Sequence, residues 1–249
     1  GDLGNQPFTI SFWVRPGDPD DTGMIMSKGT AGPGVTTPVW YARVVEDLKV
    51  MLHLTDSSAK GGAGYEIYSN QSLQLDTWHH VVMQRDATHL RIFIDGVLDH
   101  QEASSPKPCS PGGVANIGRF FHTSFGWKDY LQGSLAQLAL YQRALSASEV
   151  ALVMSEGVEE VSAEGLVAYW PMDEGPGSAI AADASQQGHD GALQGASWST
   201  DTPPCQSSAT CGDGSCDASE SCQSCESDCG ECAPLSAALD CAEAGACCV

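Results

Sequence analysis

Along residues 8–15, FTISFWVR, apolar and polar positions alternate. Phe8, Ile10, Phe12 and Val14 share one face, and Thr9, Ser11 and Arg15 the other. A period of two marks a half-buried β-strand, and Pro16 ends it. MIMSKG, VWYARVV, LKVMLHL and YEIYS continue as short strands, divided by the turn-rich stretches GDPDDTG, AGPGVTTP and SSAKGGAG. Leu48, Val50, Leu52 and Leu54 form the apolar side of the fourth strand. WHHVVMQR and LRIFIDGVLDHQ follow, the latter with Asp95-Gly96, a pair that tolerates φ > 0 and suits a tight hairpin turn. Residues 104–113 are rich in Pro, Ser and Gly and read as loop, and ANIGRF and GSLAQLALYQRA as further strands.

Only one segment breaks this rhythm convincingly. In ALSASEVALVM, Ser146 is followed three residues later by Glu149, a capping box that starts a short helix. Many short strands about ten residues apart, with turn residues between them, predict an all-β, two-sheet antiparallel sandwich with one short helix. After the helix, VEEVSAEG is a polar connector. GLVAYWPMDEGPG, residues 165–177, then reads as another strand, and DASQQGHDGALQGASW as a turn-rich segment ending in Trp198. TDTPP is a linker, and a compositionally different module starts at Cys205. The predicted organisation is a sandwich over residues 1–200, with its core at 5–154 and the late strand segment at 165–198, followed by a disulfide-rich module at 205–249.

FTISFWVRP, MSKG, DTWHHVVMQRD, LRIFIDGVL, NIGR and GSLAQLALYQRALSASEV occur in the order found in LamG-like jelly rolls of the concanavalin A-like lectin/glucanase superfamily, which residues 5–154 resemble as a set. The resemblance implies a jelly-roll topology with about fourteen strands at most. In such domains a segment like LVAYWPMDEG, followed by D-x-S-x-x-G-x-D-G, forms the first strand and the loop after it. Here that segment comes late, so it is expected to occupy the vacant edge of a sheet, within the chain as a circular permutation or between chains as a donor strand; a second, truncated repeat is the remaining option. The resemblance also implies Ca²⁺ near the sheet edge, with Asp173, Asp183 and Asp190 as ligands; tight-turn capping is the alternative role for Asp183 and Asp190.

Charge narrows the partners. With 11 Lys and Arg against 32 Asp and Glu, the chain carries a net charge of -21. Nucleic acid and anionic membrane surfaces are disfavoured, because no basic stripe exists to displace counterions. The acidity serves solubility, or some carboxylates converge on Ca²⁺. No hydrophobic run is long enough to span a bilayer. The chain begins with Gly1, which reads as a processed chain or a fragment.

The sequence has 11 cysteines: Cys109, Cys205, Cys211, Cys216, Cys222, Cys225, Cys229, Cys232, Cys241, Cys247 and Cys248. Their density near the C-terminus implies disulfides and an oxidising compartment, hence a secreted or cell-surface protein. Residues 211–232 loosely resemble Lin-12/Notch repeats. That resemblance implies Ca²⁺-binding roles for Asp213, Asp217, Glu220 and Asp228. An odd number leaves at least one cysteine free or bonded to another chain.

Catalytic patterns are missing. No strand carries the paired carboxylates of a glucanase, and there is no G-x-S-x-G, H-E-x-x-H or phosphate loop. His79 and His80 are adjacent on one strand, so they face opposite ways and cannot chelate one metal. Aromatic rings in or beside predicted loops and strand ends are the candidates for stacking on sugars: Trp40, Tyr65, Phe121, Trp127 and Tyr130 foremost, with Tyr41, Tyr68 and Phe125 beside them; FFHTSFGWKDY is an unusually aromatic loop, for which packing under a long loop is the alternative role. The expected function is non-enzymatic adhesion or recognition of glycans or extracellular proteins, with Ca²⁺ as the candidate cofactor. The alternatives are a structural subunit that assembles with copies of itself, and an accessory domain of a secreted hydrolase.

Overall fold

The alternating segments fold as antiparallel strands in two stacked sheets. The computed structural model describes residues 6–20, 22–29, 39–55, 64–104 and 114–204. In chain order the elements are β1 (Phe8–Pro16), β2 (Met24–Lys28), β3 (Trp40–Val45), β4 (Lys49–Thr55), β5 (Gly64–Tyr68), β6 (His79–Arg85), β7 (His89–Ile94), β8 (Val97–Ala103), β9 (Ala115–Ile117), β10 (Phe120–His122), β11 (Gly126–Lys128), β12 (Gly133–Tyr141), α1 (Ala147–Ser155), β13 (Leu166–Trp170), β14 (Ile180–Ala181) and β15 (Gly191–Ala192). One sheet runs β13-β12-β1-β6-β7-β8 and the other β5-β4-β3-β2-β9, with two small ladders, β10-β11 and β14-β15. This is the jelly-roll sandwich that the sequence predicts.

The described residues hold fifteen strands against about fourteen at most expected, several of them short elements where no strand was expected. β10 and β11 make FFHTSFGWKDY a hairpin, β15 lies in the segment read as turns, and β14 lies just before it. The polar connector also holds a single 3-10 turn, Val158–Glu160. The chain divides into two compact units, Gly1–Pro203 and Pro204–Val249. Every cysteine lies outside the described residues, as do Asp213, Asp217, Glu220 and Asp228.

Between the sheets, Phe8, Ile10, Phe12 and Val14 of β1 pack with Ile25, Trp40, Leu52 and Ile67 of the opposite layer. The expectation that β1 is half-buried is corrected, since its other face is covered too: Thr9 and Ser11 are both 0% exposed. α1 and the 3-10 turn lay Val150, Val153, Val158 and Val161 over Val82, Phe93, Ala139, Tyr141 and Tyr169 on the outside of the six-stranded sheet. Buried hydroxyls need partners. Thr9 donates to the Arg143 carbonyl at 2.8 Å, and Ser11 pairs with His80 Nε2 at 2.9 Å. The capping box forms as expected: Ser146 Oγ accepts from the Glu149 N–H at 3.2 Å, and Glu149 accepts from the Ser146 N–H at 2.8 Å.

The late strand β13 fills the edge slot in its own chain. It pairs antiparallel with β12, Leu138 opposite Trp170 and Leu140 opposite Ala168. Met172, Leu193 and Trp198 pack against the main core, so residues beyond α1 complete the sandwich.

Candidate functional site

The outward face of the five-stranded sheet is set by register. Because side chains alternate across a strand, Trp40, Ala42 and Val44 of β3 turn inward and Tyr41 and Arg43 outward. Cross-strand pairing then lines up one row over all five strands: Asn116 with Ser27, Ser27 with Tyr41, Tyr41 with His53, and His53 with Glu66. Tyr41 and His53 stack at 4.6 Å between centroids with 7° between planes. At Gly64 a Cβ would lie 2.6 Å from His53 Cε1, so a larger residue would push the imidazole off this stack.

Hydrogen bonds extend the row into a network. His53 Nδ1 meets Glu66 Oε1 at 3.2 Å, and His53 Nε2 meets Thr55 Oγ1 at 3.1 Å. The Tyr68 hydroxyl donates to Glu66 Oε2 at 2.7 Å. That bond is the main cause holding the Glu66 carboxyl below its ordinary range, with His53 helping and burial opposing. The same bond is the first cause pushing the Tyr68 phenol up to about 12. Burial lowers His53, against the pull of Glu66, so the ring is neutral near pH 7. Glu66 is therefore a fixed carboxylate, 44% exposed at its side chain, beside a Tyr68 that is 40% exposed.

The β10–β11 hairpin adjoins this face. Phe120 plugs it into the sheet beside Met24, Val39 and Tyr41. On the other side of the hairpin, Phe121 meets Trp127 edge-on at 5.0 Å, and the Arg119 guanidinium lies 3.8 Å from the Trp127 ring centroid. Trp127 and Tyr130 remain exposed. Arg43 and Lys128 both reach Asp129, at 4.0 and 3.3 Å.

Of the aromatic candidates, the structure therefore gathers Phe121, Trp127 and Tyr130 in or beside one hairpin. Trp40 is a correction: at 0% exposure it is core, because it falls in the inward phase of β3, and it offers no ring to a ligand. Tyr65 is half-buried against the main core, one step out of phase with the outward Glu66 and Tyr68. Tyr41 and Tyr68, also among the aromatic candidates, lie on the outward face. Sequence reasoning missed His53 and Glu66, for which the alternation within LKVMLHL and YEIYS was the signal available.

The described acidic candidates, Asp173, Asp183 and Asp190, are occupied by or placed for loop structure. No three His, Cys, Asp or Glu side chains among the described residues are placed to hold a metal. The Asp183 carboxylate is taken by backbone donors: the N–H groups of Tyr169 and Ser185 at 3.0 Å each on Oδ1, and that of His189 at 2.9 Å on Oδ2. Asp190 accepts from the Asp183 N–H at 2.8 Å, and Asp173 is exposed in the loop after β13. In this arrangement the Asp183 and Asp190 carboxylates cap backbone N–H groups and build the loop, the alternative role the sequence offered for them. His79 and His80 serve structure as well, bonded to Asp95 at 2.8 Å and to Ser11 at 2.9 Å respectively.

With this geometry in view, comparisons with known proteins locate the chain. A laminin G-type sequence profile, described as concanavalin A-like lectin/glucanases superfamily, matches residues 1–151. No curated protein sequence matches the chain. Among solved structures, a Bacteroides ovatus protein provisionally described as carbohydrate binding shares 18% identity at a TM-score of 0.57, covering 76% of this chain and 52% of its own. This chain thus spans about half the length of that protein. A heptameric SAP-like pentraxin from Limulus polyphemus follows at 19% identity and a TM-score of 0.46, covering 61% of this chain and 72% of its own. The CBM40 of the Ruminococcus gnavus IT-sialidase, bound to α2,3-sialyllactose, has 13% identity and a TM-score of 0.47, covering 61% of this chain and 84% of its own.

Proposed function

Since this chain belongs to the concanavalin A-like lectin/glucanases superfamily, we propose that its sandwich is a non-catalytic carbohydrate-recognition module acting outside the cell, with the outward face of the five-stranded sheet as its binding surface. One observation carries the reading: an exposed aromatic ring, Tyr68, tied at 2.7 Å to an exposed carboxylate, Glu66, within an ordered polar row. An apolar ring face receives the C–H surface of a sugar, and a fixed acceptor beside it takes hydroxyls. The rings of Trp127 and Tyr130 extend the aromatic surface. The likeness to the Bacteroides ovatus protein supports the fold on which such a face is built.

Fold alone does not specify activity, so the face has to be tested. A glycan microarray on the intact chain should show binding, and Tyr68→Ala should weaken it about tenfold or more, the weight of a lost stacking ring with its hydrogen bond. Silence on all glycans would defeat the proposal. The competing assembly through strand exchange loses support from the edge, because β13 is seated in its own sheet and Asp183 and Ala184 take the Tyr169 N–H and carbonyl at 3.0 and 2.8 Å.

A further inference from the structure

Resting on that reading of the face as a carbohydrate site, we infer that its ligands are neutral saccharides, and that Glu66 selects them by accepting two adjacent sugar hydroxyls. Each oxygen of the Glu66 carboxylate holds one partner from the protein, His53 on Oε1 and Tyr68 on Oε2. Each oxygen has a second lone pair, and an ionised carboxylate only accepts. Its two oxygens therefore match the paired O–H donors of a vicinal diol and repel a carboxylate or sulfate. The Tyr68 hydroxyl is already donating to Glu66, so it has none of its donor capacity left for an anion.

The arginines point the same way. A two-pronged grip on the carboxylate or sulfate of an acidic sugar needs a free guanidinium, yet the described arginines are committed to the protein. Arg15 holds Asp76 at 3.1 Å, Arg91 holds Asp86, and Arg143 holds Glu149 at 2.6 Å. Arg43 bonds the Thr22 carbonyl and approaches Asp129; Arg85 bonds the Gln6 carbonyl at 2.9 Å. Arg119 donates to Gln194 at 2.8 Å while lying on Trp127. Around them the chain carries a net charge of -21, a field that works against every anionic ligand at moderate ionic strength.

The test is a microarray of the intact chain on neutral gluco-, manno-, xylo- and galacto-oligosaccharides beside polygalacturonate, sialyllactose and sulfated glycosaminoglycan fragments. Titration calorimetry follows on the best neutral probe, for the parent chain and for Glu66→Gln and Tyr68→Phe. Binding should be confined to neutral probes and insensitive to salt. Glu66→Gln should weaken it by about tenfold or more, and Tyr68→Phe, which frees one carboxylate oxygen but keeps the ring, by a few-fold. Near-ultraviolet circular dichroism of both variants confirms that the fold is retained. Acidic probes bound as tightly as neutral ones, or neutral binding indifferent to Glu66→Gln, would overturn the inference while leaving glycan recognition standing. No binding to any probe would overturn both.

Discussion

Replacing Asp183 by Asn tests whether the D-x-S-x-x-G-x-D-G segment is a structural device. The carboxylate accepts three backbone N–H groups, from Tyr169, Ser185 and His189. An Asn carbonyl can keep the first two, but its NH₂ then confronts the His189 N–H, donor against donor. One bond is lost and two fall from charge-assisted to neutral, a raw loss of about 3 kcal/mol. Asp183 is only half-buried, so solvent screening trims this to about 2 kcal/mol. For a unit of this size each kcal/mol moves the midpoint by about 2–4 °C, so calorimetry at pH 7 should show a fall of about 4–8 °C. Burial raises the Asp183 carboxyl, but its hydrogen bonds outweigh that and leave it below the ordinary aspartate range. A depressed carboxyl stabilises fully above its unfolded value and loses that contribution as pH falls through the folded one. Parent and variant should therefore converge in strong acid. Equal midpoints at pH 7, or a gap undiminished in acid, would refute the reasoning.

Other perturbations read other parts of the molecule. His80 is held down to about 4 by burial, with Asp95 opposing; it is neutral in the fold and protonated in the unfolded chain at mildly acid pH. Stability should be intact above about 6.5 and decline by up to about 3 kcal/mol as pH falls toward 4. Urea melts across that range should be flatter for His80→Gln, and an equal slope would count against the assignment. Trp40→Ala empties the core and should cost about 3–5 kcal/mol in denaturant melts; a melt like the parent's would deny its burial. Ser146→Ala removes the helix cap and should cost about 1 kcal/mol. Its partner Glu149, held at about 2 chiefly by Arg143, makes the turn's support fade as pH falls from about 4.5 toward 2, which an acid titration followed by Trp fluorescence would register.

What the sequence could and could not say follows from where each kind of information resides. Strand positions were legible because alternation is local: the eight segments from FTISFWVR to GVLDHQ correspond to β1 through β8 within a residue or two at most ends. The cap at Ser146 was legible for the same reason. That both faces of β1 are buried was not, because the groups that meet Thr9, the Arg143 carbonyl and the Leu145 N–H, lie more than 130 residues along the chain. Trp40 was misjudged by its nearness to a loop, although its phase with Ala42 and Val44 already put it inside. The same phase puts Tyr65 with Ile67 and sends Glu66 and Tyr68 outward. The row from Tyr41 to Glu66 depends on inter-strand register, and a shift of one residue would have buried Glu66 and exposed Ile67. Phase within a strand is thus written in the sequence, while the alignment between strands that turns single outward residues into a site arises only when the sheet closes.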